Sequence, residues 1–413
     1  MEKDSVILAG RLIQPHTGTV SVNQRIHVRG DSIVAIGPSE PLPENAELLD
    51  LSAVTVLPGL IDCHTHLTLL HESKDPIDEL KRSPAQCALQ AIPNVRMKLM
   101  SGFTTVREAG SYWAFVDVAL RDAIARGDVV GPTMLVPGAM ITMTGGAGAL
   151  TGIVPEVRLP RELRFGKANS PAQIRERVRA VIHYGADVVK IFSSGAVLQH
   201  GNNNPSSNEF TLEELSAAVE EARSLGVRVM AHAHSAAGIK NAVLAGVASI
   251  EHGTMIDEQS AALMADAGTY LVPTLSVSDC MGESSQRPAD FLAKARHALA
   301  HHRTGFEYAL RAGVKIALGS DSVVCPHDVG ARELHYMVKY GMTPMAALHS
   351  ATCNAADLLG LSKVGSLEPG QKANLIAVDA DPLADIDALG KVSFVMKEGV
   401  VYRHDRDAER RQS

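Results

Sequence analysis

Between residues 58 and 365 one pattern recurs, and it narrows the possible folds more than any other feature. A helical stretch ends in Gly, and an apolar, β-branched run follows at once. It reads SGFTTV, YGADVVKIF, LGVRVMAH, AGVASIEH, AGTYLVPTL and AGVKIALGS. Gly just past a helix end takes the left-handed position there at little steric cost. The stretches before it, such as TLEELSAAVEEARSLG and PAQIRERVRAVIHYG, carry apolar residues at helical spacing with charges on the other face. LPGLIDCHTH and TMLVPGAMIT bring the short strands to eight. Strands alternating with helices predict a parallel sheet, and eight units predict an α/β chain closed into a (β/α)8 TIM barrel. The alternative, an open doubly wound sheet, would want a Gly-rich dinucleotide loop opening a helix, and none is present.

The ends read differently. Residues 1–57 hold short alternating runs (SVILAGRLI, RIHVRGDSIVAIG), and 366–404 repeat that style in ANLIAVDAD and VSFVMKEGVVYR. Neither end alone makes a stable sheet of useful size. Together they predict a small flanking β-sandwich built from both termini around a catalytic unit at 58–365, with a charged, frayed tail at 405–413. Aromatics are only 4% of the chain, so the core must be mainly aliphatic. A net charge of −7 with both signs mixed leaves no basic patch to track a phosphate backbone, so nucleic acid is not an expected partner. MEKDSVILAG has no apolar signal-peptide core, and no run approaches the roughly 18 apolar residues of a membrane span. The cysteines at 63, 87, 280, 325 and 353 are scattered without a CxxC pair. They read as reduced thiols in a cytoplasmic protein.

In such a barrel the functional groups sit at the C-terminal ends of strands. Strand 1 ends in His64 and His66, which face the same way because residues two apart in a strand share a face. Strand 4 carries Lys190, strand 5 His232 and His234, strand 6 His252, and strand 8 Asp321. Each has a bland reading: a surface histidine, a core imidazole, a solvent-reaching lysine, a helix cap. Their convergence on one barrel face favours a metal site. Lys190 fits there only in another chemical form, since an ammonium beside a dication is strongly repelled. A neutral amine captures carbon dioxide and becomes a carbamate, whose two oxygens can bridge two cations. Two dications, neutral imidazoles, carbamate, Asp321 and hydroxide leave roughly one net positive charge, which suits an anionic substrate.

These residues carry a resemblance. LPGLIDCHTHL, VKIFSSG, AHAHS followed by EHGT, and GSDS resemble the strand-end motifs of the amidohydrolase superfamily, and GSLEPGQKANLIAVDADPLADI resembles its return to the flanking β domain. TTVREAG, IEHGT and the long loop after Lys190 are most similar to the binuclear group that contains Xaa-Pro dipeptidases, carboxypeptidase-like members and ochratoxin-type amidases. The resemblance implies two divalent cations, expected to be zinc. His64, His66 and Asp321 would hold the more buried one, His232 and His252 the other, with carbamylated Lys190 bridging. It also implies a homo-oligomer and a substrate contact at His234. Arg107 and His200 are further candidates for substrate binding. One departure bears on the substrate: relatives read GGHG where this chain reads TGGAGAL, with Ala147 in place of the histidine.

The expected activity is therefore metal-dependent hydrolysis of a small-molecule amide, with Asp321 as general base and then acid. Dipeptides or N-acyl amino acids, ochratoxin-like amides included, are the first substrate class. Xenobiotic aryl amides, carbamates or ureas are the alternative. A mononuclear deaminase or cyclic-imide hydrolase is a further reading, weakened because HAHSAAGIK lacks the deaminase carboxylate. A non-catalytic scaffold would be expected to have lost ligands that this chain keeps.

Overall fold

Side-chain caps set many of the helix boundaries. In the computed structural model, which describes residues 4–405 apart from 41–42, 72–73, 155, 202 and 282–285, helices α1 (Pro84–Met100), α2 (Val116–Ala125), α3 (Pro171–His183), α4 (Leu212–Ser224), α5 (Ala236–Ala245), α6 (Glu258–Ala267), α7 (Ala289–Ala312) and α8 (Arg332–Lys339) follow in order. Ser83 and Thr211 form reciprocal capping boxes with Gln86 and Glu214, and Ser235 and Asp257 cap α5 and α6. Gly246, Gly268 and Gly313 close α5, α6 and α7 in the left-handed region, as the recurring Gly predicts. From residue 406 on, the tail expected to fray lies outside the described residues.

Strands β1 (Asp4–Gln14), β2 (Thr19–Arg29), β3 (Ser32–Gly37) and β4 (Glu47–Pro58) open the chain. The central strands are β5 (Leu60–Thr65), β6 (Phe103–Glu108), β7 (Thr133–Leu135), β8 (Met140–Ile141), β9 (Val188–Phe192), β10 (Arg228–Ala233), β11 (Ser249–His252) and β12 (Tyr270–Val272). They form two parallel sheets, β5-β6-β7 and β12-β11-β10-β9-β8. Most are buried along their whole length, as strands covered on both faces must be.

The fold is thus α/β with parallel sheets, but the ladder differs from eight even strands in two places. TMLVPGAMIT is split: Pro137 has no N–H to give a ladder and Gly138 has a φ of 70°. Its first half pairs with β6 and its second with β9. The eighth run, KIALGS, is bonded without forming a ladder strand. Leu271 pairs with Ile316 and Thr65 with Ser322 as isolated bridges. Leu318 accepts from Cys63 N and His64 O accepts from Asp321 N, both at 2.8 Å. A side chain at Gly319 would collide with Val272 and His64, so the glycine permits this close approach.

Strands β13 (Leu375–Val378), β14 (Val392–Lys397) and β15 (Val400–His404) join the first four in one seven-stranded sheet, β15-β14-β13-β4-β1-β2-β3. Both termini therefore build it, through β13 pairing with β4. Period-two alternation divides its faces. Ile376, Val378 and Val395 enter the large central core, while Leu375, Ala377, Phe394 and Met396 enclose a separate cluster with Ile7, Leu12 and Val56. Among the described residues, no helix is long and apolar enough to cross a membrane. Cys280 and Cys325 form a disulfide, which corrects the reading of all five cysteines as free thiols, on which the cytoplasmic expectation rested. Chain spacing gave no sign of it, because the partners are 45 residues apart.

Candidate metal centre

The ends of the parallel strands surround a cavity of about 150 Å³ whose polar lining includes His64, His66, Lys190, His232, His252 and Asp321. Asp62 anchors its floor. Its carboxylate pairs with Lys98 at 2.6 Å and accepts from Ser320 N and Oγ and from His64 N. Strand 1 and the start of the 320–322 turn are thereby held together, and Asp321 lands beside the strand-1 histidines. Its Oδ1 is 3.5 Å from Nε2 of both His64 and His66. Asp321 and His252 have left-handed backbones, with φ of 50° and 71°. Such strain is expected where a chain turns a side chain into a site.

Each imidazole has one nitrogen committed. His64 Nδ1 meets Glu251 at 2.7 Å, and His66 Nδ1 donates to the Gly110 carbonyl at 2.7 Å. His234 and His252 place Nδ1 on Thr254 and Thr274, at 2.9 and 2.8 Å. His232 is reversed, with Nε2 on the Gly195 carbonyl at 3.3 Å. Because a carbonyl only accepts, the bonded nitrogens of His66 and His232 carry the proton and the other nitrogen keeps its lone pair. His64 Nε2 is buried without any hydrogen-bond partner. Burial first, and the Lys190 charge among lesser causes, holds His64, His232 and His252 well below the usual imidazole range, His66 at about 4 and His234 at about 3. They are neutral at pH 7 and free to donate lone pairs. Burial also lowers the Lys190 ammonium and raises the Asp321 carboxyl, each opposed by the other's charge.

This donor set fits a cation. Ligand atoms of His64, His252 and Asp321 lie within 4.8 Å of one another, as do those of His232, His234 and His252. The grouping crosses the division implied by the resemblance: His252 belongs to both sets, and His234 stands as near as His232. Lys190, buried beneath them, faces the same cavity.

Two of the three candidate substrate contacts are elsewhere. Arg107 is buried inside the strands, donating to the Cys63 carbonyl, Ser249 and Glu251. It does not line the cavity, so its expected role is corrected: its guanidinium is bonded within the strands instead. His200 is likewise committed, to Asp75 at 2.8 Å and Asp290 at 3.5 Å, and packs on Phe291 outside the cavity. His234 does line it. Ala147 lies in the wall, where Met140, Phe192, Leu198, Val277 and Leu299 make an apolar surface that motif reading missed. Glu251 was missed as well, although a carboxylate within the apolar run ASIEH was a visible signal.

The sequence model of the Amidohydrolase family matches residues 55–402. Ochratoxinase of Aspergillus niger is 31% identical over 425 aligned positions, covering 97% of this chain and 87% of its own length. Among solved structures, a Xaa-Pro dipeptidase with methionine bound in its active site is 36% identical with a TM-score of 0.89, covering 97% of this chain and 100% of that one. A prolidase complexed with N-methylphosphonate-L-proline is 28% identical, again with a TM-score of 0.89 and coverage of 97% and 100%.

Proposed function

The chain belongs to the amidohydrolase family and is a hydrolase acting on amide bonds, and from that premise we propose that it cleaves dipeptides or N-acyl amino acids, ochratoxin-like amides included, at a centre of two divalent cations. One observation carries the reading: neutral imidazoles, a buried carboxylate and a buried lysine converge on one cavity. His64, His66 and Asp321 would hold one cation, His232 and His252 the other. Lys190, as the carbamate formed from its neutral amine and carbon dioxide with release of a proton, would bridge them. In this reading the two parallel sheets act as one (β/α)8 barrel over residues 58–365, with 1–57 and 366–404 as its flanking sandwich.

Bound zinc pairs would lower the pKa of a shared water and polarise the scissile carbonyl. The chain's own residues do the rest. Asp321 takes the proton of the attacking water on a carboxylate oxygen and returns it to the leaving nitrogen, which an amide cannot expel unprotonated. The apolar wall takes a bulky acyl or side-chain group and excludes water. His234, which lines the cavity beside the other histidines, contacts the substrate carboxylate.

A second reading, neutral xenobiotic aryl amides, carbamates or ureas, is favoured by that same wall and by the absence of Arg107 and His200 from it. Hydrolysis of an N-acyl amino acid beside its carboxamide-blocked form separates the two. The first reading expects the free acid to react faster, and His234→Ala to shrink the preference while the metals stay bound. Equal rates, or reaction confined to neutral aryl carbamates and ureas, would give the second reading its place.

A further inference from the structure

Ser249 and Glu251 project from the same side of β11, with Ser249 Oγ donating to Glu251 Oε1 at 2.5 Å. Strict alternation would turn His252 away from them. Its left-handed backbone, φ 71°, instead brings it into the cavity. Two successive residues of one strand therefore serve the same interior, His252 at the cavity and Glu251 behind it. Glu251 is wholly buried. Its second oxygen lies 2.7 Å from His64 Nδ1, while Oε1 accepts from Arg107 Nη2 at 2.8 Å. Arg107 also donates to the carbonyl of Cys63, the residue before His64, at 2.7 Å. The guanidinium thus balances the carboxylate and ties it to the strand that bears the histidine.

We propose that Glu251 is a positioning residue for the metal centre. Held by Arg107 and Ser249, it accepts the Nδ1 proton of His64, fixes that tautomer and ring orientation, and presents the Nε2 lone pair to a cation beside Asp321. The unpartnered, buried Nε2 is the atom this arrangement leaves on offer. The inference rests on the metal-centre reading above and adds a residue that ligates nothing. Loss of such a carboxylate behind a ligating histidine costs about 10–100-fold in metal affinity.

Competition for Zn²⁺ with a chromophoric chelator, on the full chain, tests it. The double variant Arg107→Met/Glu251→Met removes the buried pair but keeps its volume, an exchange that is often neutral or stabilising. It should keep its circular dichroism and urea midpoint while binding Zn²⁺ about 10–100-fold more weakly. Glu251→Gln, which keeps an oxygen but not the charge, should bind Zn²⁺ more weakly than wild type by a smaller factor, and it serves if the double variant does not fold. Wild-type Zn²⁺ affinity in a folded variant overturns the inference and leaves the metal-centre reading standing. A wild-type chain that binds no Zn²⁺ overturns both.

Discussion

Asp321 sits where burial works against its charge, and only nearby cations keep its carboxylate available. In the proposed reaction it is the carboxylate placed to take the proton of the attacking water and return it to the leaving nitrogen. Asp321→Asn should therefore keep the fold and lower turnover by about 10²–10⁴. Steady-state kinetics beside a circular dichroism spectrum check this, and a change confined to KM would reduce Asp321 to a binding role. The strand-end histidines and Asp321 were legible in the sequence because a metal ligand set needs only residue type and a strand end. Arg107 and His200 were misread for the converse reason. Their partners, Glu251 and Asp75, lie 144 and 125 residues away, and no local spacing reports such pairings.

At the scale of elements, α8 clamps the segment that leads from β12 into the cavity wall. Both oxygens of Glu333 accept backbone N–H groups, from Leu275 and Ser276, at 2.7 Å each. Burial pushes its carboxyl up to about 8, against those two bonds. The folded chain then holds a proton that the unfolded chain has released above the ordinary value of 4.5, so this group's contribution to stability is lost as pH rises towards about 8. The slope is at most about 1.4 kcal/mol per pH unit. The buried histidines have the opposite sign, since their lowered values cost stability as pH falls through 6.5. The clean comparison is therefore with Glu333→Gln between pH 6.5 and 8.5. The wild type's stability relative to the variant, from urea unfolding, should decline across that interval, and a constant or rising difference would contradict the assignment. Elements themselves were largely legible, since Gly after a helix and β-branched runs are local signals. The split of TMLVPGAMIT has a local signal as well, in Pro137 followed by Gly138. The bonding of KIALGS by isolated bridges depends on the close approach at Gly319, which no local pattern announces.

Over the whole molecule, the first 57 residues and the last strands complete one sheet, and alternation at Leu375–Val378 and Phe394–Met396 shows why neither end suffices alone: each strand feeds two cores at once. That partnership was readable from the shared style of the two ends. The Cys280–Cys325 bond was not, because its partners stand 45 residues apart without a spacing motif. The central claim concerns the interior those strands surround, that a histidine, carboxylate and lysine constellation holds a pair of cations. Elemental analysis of the purified, zinc-saturated chain tests it most directly, with Lys190→Ala measured alongside. The account predicts about two divalent cations per wild-type chain, and loss of the pair together with activity in the variant. A wild-type chain that holds none, or a Lys190→Ala chain that keeps both and turns over at full rate, would contradict it.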